Sequence, residues 1–253
     1  MYVKYFNFDI VSSTNDIAIN ELKTINDINT AVVVTANIQQ NGRGRNNKIW
    51  FNGQNNLYYT LGIKHYIDTL PIYLMQVIGG LSVYKTLSNN LIDKKNVYLK
   101  YPNDIYIKTN NNIFKKIAGI ISEHIFSYNS ICSSIIGIGI NNKQKEFPEN
   151  INATSLFNLD VDIENDELTK QLTDNILQLI NDKENILDIW KEKLNLDNKK
   201  IKIIDNISSK EIAGEFILDK ILEDCRLLVV DNAGNKRIID NGDSIKYDLN
   251  DFL

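Results

Sequence analysis

The sequence predicts an α+β chain: a mixed β-sheet domain with packed helices over residues 1–195, followed by a small β-barrel over residues 196–253. Three observations predict it. The chain has 253 residues, 43% of them hydrophobic, enough for one large domain plus a small appended one and too apolar for intrinsic disorder. Extended runs rich in β-branched residues outnumber helical ones through the first two-thirds of the chain. From Lys199 the pattern changes to short strands separated by turn signals, and the boundary near residue 195 rests on that change.

Residues 2–10 alternate aromatic or aliphatic side chains with polar ones (Tyr2, Lys4, Phe6, Phe8, Ile10) and read as the strand that opens the sheet. In "SSTNDIAINELKTI", Ser13 or Thr14 is placed to cap a helix whose apolar face is Ile17, Ala18, Leu22 and Ile25. "TAVVVTANI", residues 30–38, is a buried strand, and "NNLYYTLGIK", residues 55–64, is the next one. Pro71 opens a helix that carries Gly79 and Gly80 in its middle, at about 1 kcal/mol each against alanine, so that helix lies tightly against the sheet. Three β-like segments follow: "NVYLKYPNDIYIKT", interrupted at Pro102, then "KKIAGIISEHIF" and "SICSSIIGIGINN". A single helical stretch runs from Glu164 to about Leu194, with Leu168, Leu172, Ile176, Leu179 and Ile180 on one face. The last strands are "KIKIID", "AGEFILDK", "RLLVVD", "KRIID" and "SIKYDL", with turns at Asn232-Ala-Gly-Asn and Asn241-Gly242.

No apolar run is long enough for a membrane span, and no secretory leader pattern precedes the first strand, so the chain reads as soluble and cytoplasmic. Cys132 and Cys225 have no metal-ligand spacing to His65 or His124, which excludes a disulfide scaffold and a zinc site; no metal ligand is expected. A net charge of −4 argues against a broad basic surface for nucleic acid and against specific DNA binding. The abundance of Asn, Ile and Lys reflects an AT-rich genome and carries no chemistry.

The segment "QQNGRGRNNKIWF", residues 39–51, carries more information. Gly42 and Gly44 can adopt backbone angles that let the chain close around a ligand, and Arg43 and Arg45 suit an anionic one. A Gly-Arg pair also occurs in solvated turns and nucleic-acid-binding tails, so the motif alone leaves both readings open. Its company is more specific: "STN" at 13–15 precedes it, and "KYPND" at 100–104, "KIAG" at 116–119 and "GIGIN" at 137–141 follow in that order. Together these motifs resemble the signature set of the biotin protein ligases, and the resemblance covers essentially the whole chain.

That resemblance implies a class II synthetase-like catalytic domain and an SH3-like C-terminal barrel. It also implies formation of biotinyl-5'-AMP from biotin and ATP with Mg²⁺, then transfer to a lysine of a biotin carboxyl carrier protein domain of a biotin-dependent carboxylase. Such chemistry brings a carboxylate against a phosphate, and fixed cations must screen the two anions. Arg43 and Arg45 can fork hydrogen bonds to them, while Lys100 offers a compact point charge. By resemblance Lys100 and Arg45 are catalytic. Ser13, Thr14, Asn15 and Gln39 would bond the polar ring of biotin, with Arg43, Gly44, Gly137 and Gly139 close to the bound acid. Arg45, Lys48, Trp50, Lys116 and Asn141 would serve ATP, the indole of Trp50 stacking on adenine.

Each residue also has a plainer reading. Ser13 and Thr14 can be helix caps, Lys100 a solvated strand lysine, Gly137 and Gly139 a bulge or tight packing, Lys116 part of a charged turn, and Trp50 a core plug; Trp190 reads as structural. The family motif has tryptophan where Tyr101 stands, which implies a packing change. It also continues the loop with arginine, glycine and a basic residue where this chain has Asn46, Asn47 and Lys48; Asn47 can keep the turn, while Asn46 removes a positive charge near the adenylate. With no helix-turn-helix ahead of STN, the resemblance implies a single-function ligase, and the sequence leaves a homodimer open. Without ligand the loop is expected to be mobile. Two alternatives are a lipoate or octanoate transferase of the same superfamily, whose loop would not read GRGR, and a non-catalytic nucleic-acid-binding module, against which the acidic balance counts.

Overall fold

Isoleucine alternates with glycine along residues 136–140, and that alternation organises the larger unit. The computed structural model describes residues 1–45, 48–64, 70–91, 93–127, 130–182, 184–205, 210–240 and 245–252. The chain divides into two units, Met1–Leu99 with Asn103–Ile186, and Lys100–Pro102 with Leu187–Leu253.

In the first unit, β1 (Tyr2–Val11), β2 (Thr30–Gln39), β3 (Leu57–Lys64), β4 (Val97–Lys100), β5 (Asp104–Lys108), β6 (Phe114–Ser127) and β7 (Ser130–Ile140) form one sheet in the order β1-β2-β3-β7-β6-β5-β4. β4 runs into the second unit at Lys100. The sheet is mixed: β1 and β2 are parallel, joined through helix α1 (Thr14–Thr24), whereas β2–β3, β3–β7, β6–β7 and β5–β6 are antiparallel.

Register assigns each side chain to a face. Tyr59 and Ile120 both pair with Ile138, and Ile136 shares their side of the sheet. Helices α2 (Ile72–Asn90) and α3 (Asn165–Asn181) cover this side. A Cβ at Gly79 of α2 would lie 2.8 Å from both Ile120 and Ile136, so the expected close approach is present, and Tyr59 shares a hydrogen bond with Thr173 of α3 at 3.0 Å. On the other side, Ala18, Leu22 and Ile25 pack from α1 and its end onto Val32, Val34 and Ile135. Beyond α1 the middle of this second face is glycine: Gly137 lies between Thr60 and Ile121, Gly139 between Tyr58 and Gly119, and Gly119 is also opposite Asp104. The result is a shallow trough across β3, β7, β6 and β5.

The single helical stretch expected over residues 164–194 is two helices. α3 ends at Asn181 and α4 (Ile186–Leu194) begins after Asn185, whose φ of 61° is left-handed and cannot continue a helix.

In the second unit, β8 (Lys200–Ile203), β9 (Phe216–Ile221), β10 (Leu227–Asp231), β11 (Lys236–Ile239) and β12 (Ile245–Lys246) form an antiparallel sheet in the order β11-β10-β9-β8-β12, curled into a half-barrel. Ile201, Phe216, Leu218, Leu227 and Val229 are buried within it. Gly234, with φ of 85°, forms the β10–β11 turn; the Asn241-Gly242 turn lies outside the described residues. Tyr101 donates its hydroxyl to the Cys225 carbonyl at 2.9 Å and its N–H to Tyr247 Oη at 2.7 Å, and its ring lies 5.9 Å from buried Trp190. Cys132 and Cys225 are free thiols. Among the described residues no helix is long and apolar enough to cross a membrane.

Candidate active site

The trough is closed at one end by the start of α1 and overhung by the glycine-arginine loop. Ser13 occupies the N-cap position with an extended backbone, yet its side chain makes no capping bond. The neighbouring side chains turn to the sheet instead. Thr14 donates its N–H at 2.8 Å and its hydroxyl at 3.1 Å to Gln39 Oε1, where β2 ends. Thr60 Oγ1 lies 2.8 Å from Thr14 Oγ1 and donates to Asn15 Oδ1 at 2.6 Å, while Asn15 Nδ2 donates to Glu123 Oε1 at 2.6 Å. Ser13, Thr14, Asn15, Gln39 and Thr60 are all buried.

Residues 42–45 and 48–50 pair as a narrow hairpin. Gly44 N–H bonds Lys48 O at 2.7 Å, Trp50 N–H bonds Gly42 O at 2.9 Å, and Arg43 bridges to Ile49; Asn46 and Asn47 lie outside the described residues. Arg43 forks its guanidinium onto Asp16, with N–O distances of 2.5 and 3.2 Å. That bond holds the Arg43 pKa above its usual value; burial opposes it, and the charges of Asp16 and Glu123 add to it. Arg45 is half-buried and Lys48 exposed.

The hairpin ends on Trp50, whose indole lies on two facing glycines. A Cβ at Gly119 would fall 2.6 Å from Trp50 Cζ3, and one at Gly139 would fall 2.6 Å from Cε2, so only glycine at both positions admits the ring. Lys116 Nζ stands 5.2 Å from the ring centroid and is ion-paired to Asp104 at 2.5 Å, a cation over an aromatic face. Trp50 Nε1 is buried without a hydrogen-bond partner, at a cost of about 1–3 kcal/mol. Gly137 plays the same part for Asn15, whose Oδ1 would be 2.4 Å from a Cβ there.

The structure thus gathers Thr14, Asn15, Gln39, Arg43, Gly44, Trp50, Lys116, Gly137 and Gly139 around one trough. Asn141 sits differently: it is buried just past β7, with Nδ2 donated to the Thr154 carbonyl at 3.0 Å. Lys100 closes β4 and belongs to the second unit, its Nζ 5.5 Å from the Tyr247 ring centroid. Four polar participants escaped the sequence reading: Asp16, Thr60, Asp104 and Glu123. Asp104 stood inside the quoted KYPND motif, and Glu123 lies an even number of residues from Gly119 on the same strand, which puts both on one face. Nothing local marks Thr60. Among the described residues, no group of three or more His, Cys, Asp or Glu side chains is placed to hold a metal ion.

The bifunctional ligase/repressor BirA of Bacillus spizizenii is 30% identical over 153 residues, which are 58% of this chain and 44% of that protein. The chain spans less than half the length of the curated relatives it matches. Among solved structures, the biotin protein ligase from Aquifex aeolicus in complex with biotin and ATP superposes with a TM-score of 0.67 at 24% identity, covering 97% of each chain. The biotin protein ligase from Leishmania major in complex with biotinyl-5-AMP gives a TM-score of 0.64 at 20% identity, over 95% of this chain and 99% of that one. These two likenesses establish the fold, with the mixed sheet and the curled C-terminal half-barrel expected from the sequence. Residues 7–141, more than half of the chain and the whole of the trough, match the sequence profile of the Biotin/lipoate A/B protein ligase family, and the chain belongs to that family.

Proposed function

We propose that the chain is an ATP-dependent biotin protein ligase. In the first step an oxygen of the biotin carboxylate attacks the α-phosphorus of ATP, which enters with Mg²⁺, and pyrophosphate leaves. In the second, a lysine amine of a biotin carboxyl carrier protein attacks the acyl carbon of biotinyl-5'-AMP; AMP leaves with the bonding pair and the amine gives up a proton.

The observation that carries this reading is the joining of a buried polar set, Thr14, Gln39 and Thr60, to a glycine-floored trough beneath a hairpin bearing Arg43 and Arg45. A cyclic urea needs hydrogen-bonding partners and an acyl phosphate needs cations, and the two requirements fall at neighbouring places. Arg45 and Lys100 take the catalytic roles, screening the meeting of carboxylate and phosphate. Ser13, Thr14, Asn15, Gln39, Arg43, Gly44, Gly137 and Gly139 serve biotin; Lys48, Trp50, Lys116 and Asn141 serve ATP. Residues 1–195 carry this chemistry and residues 196–253 form the appended barrel. The reading places the reaction in the cytoplasm and needs neither specific DNA binding nor a homodimer.

The test is pyrophosphate release from Mg·ATP in separate reactions with biotin, with octanoate and with RNA, followed by a blot for biotinylated carrier protein. Release with biotin and a labelled carrier band are expected. Release with octanoate alone would move the chain to the lipoate side of its family, and release with none of the three would end the ligase reading.

A further inference from the structure

Tyr101, the residue between the lysine and the proline of KYPND, is held at both of its polar ends. Its backbone N–H donates to Tyr247 Oη at 2.7 Å, and its own hydroxyl donates to the Cys225 carbonyl at 2.9 Å. Its ring lies 5.9 Å from that of Trp190, and both residues are buried. Lys100, Tyr101 and these three partners all belong to the second unit. A hydroxyl can donate or accept, but a backbone N–H only donates, so Tyr247 Oη is the acceptor in the first bond. The Tyr247 ring is thereby tied to the main chain one residue past Lys100.

The tied ring then reaches back to the lysine. Lys100 Nζ stands 5.5 Å from its centroid, within the range over which the face of an aromatic ring attracts an ammonium, and both side chains are half-buried. A lysine stem is long and flexible, so ending β4 at Lys100 fixes its Cα and leaves its charge free to wander. A ring bonded to the Tyr101 N–H cannot wander with it. It offers the ammonium one place, next to the backbone that carries it. A charge already in place meets developing charge without reorganisation, so such a restraint acts on the rate of the chemical step more than on substrate affinity.

We propose that Tyr247 is a positioning residue: its ring, anchored on the Tyr101 N–H, sets the ammonium of Lys100 for the meeting of carboxylate and phosphate. The inference rests on the reading of Lys100 as catalytic and names the residue that aims it.

The test measures single-turnover pyrophosphate release by the full chain, with biotin and Mg·ATP each varied, for Tyr247→Leu, Tyr247→Phe, Lys100→Ala and the double variant Lys100→Ala with Tyr247→Leu. Tyr247→Leu should slow the saturated rate about tenfold, the scale of a shielded contact between an ammonium and a ring, while both half-saturating concentrations stay within about twofold of the parent's. Tyr247→Phe, which keeps the ring and loses its anchor, should lose part or all of that tenfold. Against Lys100→Ala, Tyr247→Leu should cost nothing more, because Tyr247 acts through the lysine. A thermal melt checks folding, and Tyr247→Phe, one oxygen smaller, decides the question should the leucine variant fail to fold. A parent-like rate in either Tyr247 variant, a loss confined to half-saturation, or a further loss in the double variant would overturn the proposal and leave the role of Lys100 standing. A Lys100→Ala variant as fast as the parent would instead overturn the reading of Lys100, and the proposal with it.

Discussion

The two faces of β7 obey opposite rules although they share one backbone. Ile136, Ile138 and Ile140 point to the helix-covered side and are fully or almost fully buried, whereas Gly137 and Gly139 point into the trough, where Asn15 and Trp50 lie on them. On the first face, energy comes from filling space with apolar atoms, and loss of a side chain is felt as lost stability. On the second, space has been kept open by leaving side chains out, and gain of a side chain is felt as lost geometry. Such a strand can therefore be read as two sequences, one for packing and one for room.

That contrast can be broken first at Gly139. Gly139→Val should push the indole off its floor and lower biotin-dependent pyrophosphate release about 100-fold, the scale of a displacement near 1 Å at a reacting centre. Its melting temperature should move little, because the neighbour that must give is a ring on a hairpin. A large fall in melting temperature with activity retained would refute the division of labour. Ile138→Ala makes the complementary case: a loss of about 2–5 kcal/mol in denaturant unfolding, with pyrophosphate release per folded molecule unchanged. Loss of activity without loss of stability would show that the packed face also serves the site.

Smaller changes sharpen the picture. Trp50→Phe keeps a ring on the glycines and deletes the N–H that has no partner, so the hairpin should sit more firmly, and trypsin cleavage after Arg43 or Arg45 should slow a few-fold, within the roughly 1–3 kcal/mol that such a group costs. Unaltered cleavage would mean that the indole does not anchor the hairpin. The smallest effect belongs to Asp16→Asn. Its ion pair with Arg43 is about half exposed on both sides, and such pairs contribute roughly 0–1 kcal/mol, so cleavage after Arg43 should speed up by no more than about fivefold and less at high salt. A salt-independent effect would rule out the ion pair as its cause.

Much of this was legible in the sequence because it is local. The alternation of "IIGIGI", the apolar face of α1, the tight approach at Gly79 and the stop at Pro102 each follow from neighbours a few residues apart. The break between α3 and α4 was missed because the apolar period runs through it, while the backbone leaves the helix at Asp182 and turns left-handed at Asn185. Thr60 and Glu123 stayed silent for a different reason. Their meaning comes from register: Thr60 matters because it stands opposite Gly137, and Glu123 because it faces the start of a helix 108 positions earlier in the chain. The pairing of residues 42–45 with 48–50 was likewise hidden, since Gly44 and Lys48 pair through backbone atoms that no side-chain pattern records.

Trp50 has an optical consequence. The chain has two tryptophans, and the other, Trp190, is 2% exposed in the second unit. An indole shielded from water beneath an ammonium group emits differently from one released into solvent or laid on a purine. Any movement of the hairpin would therefore change the emission of Trp50 against a constant contribution from Trp190, and the difference between two spectra would gauge it without an attached dye.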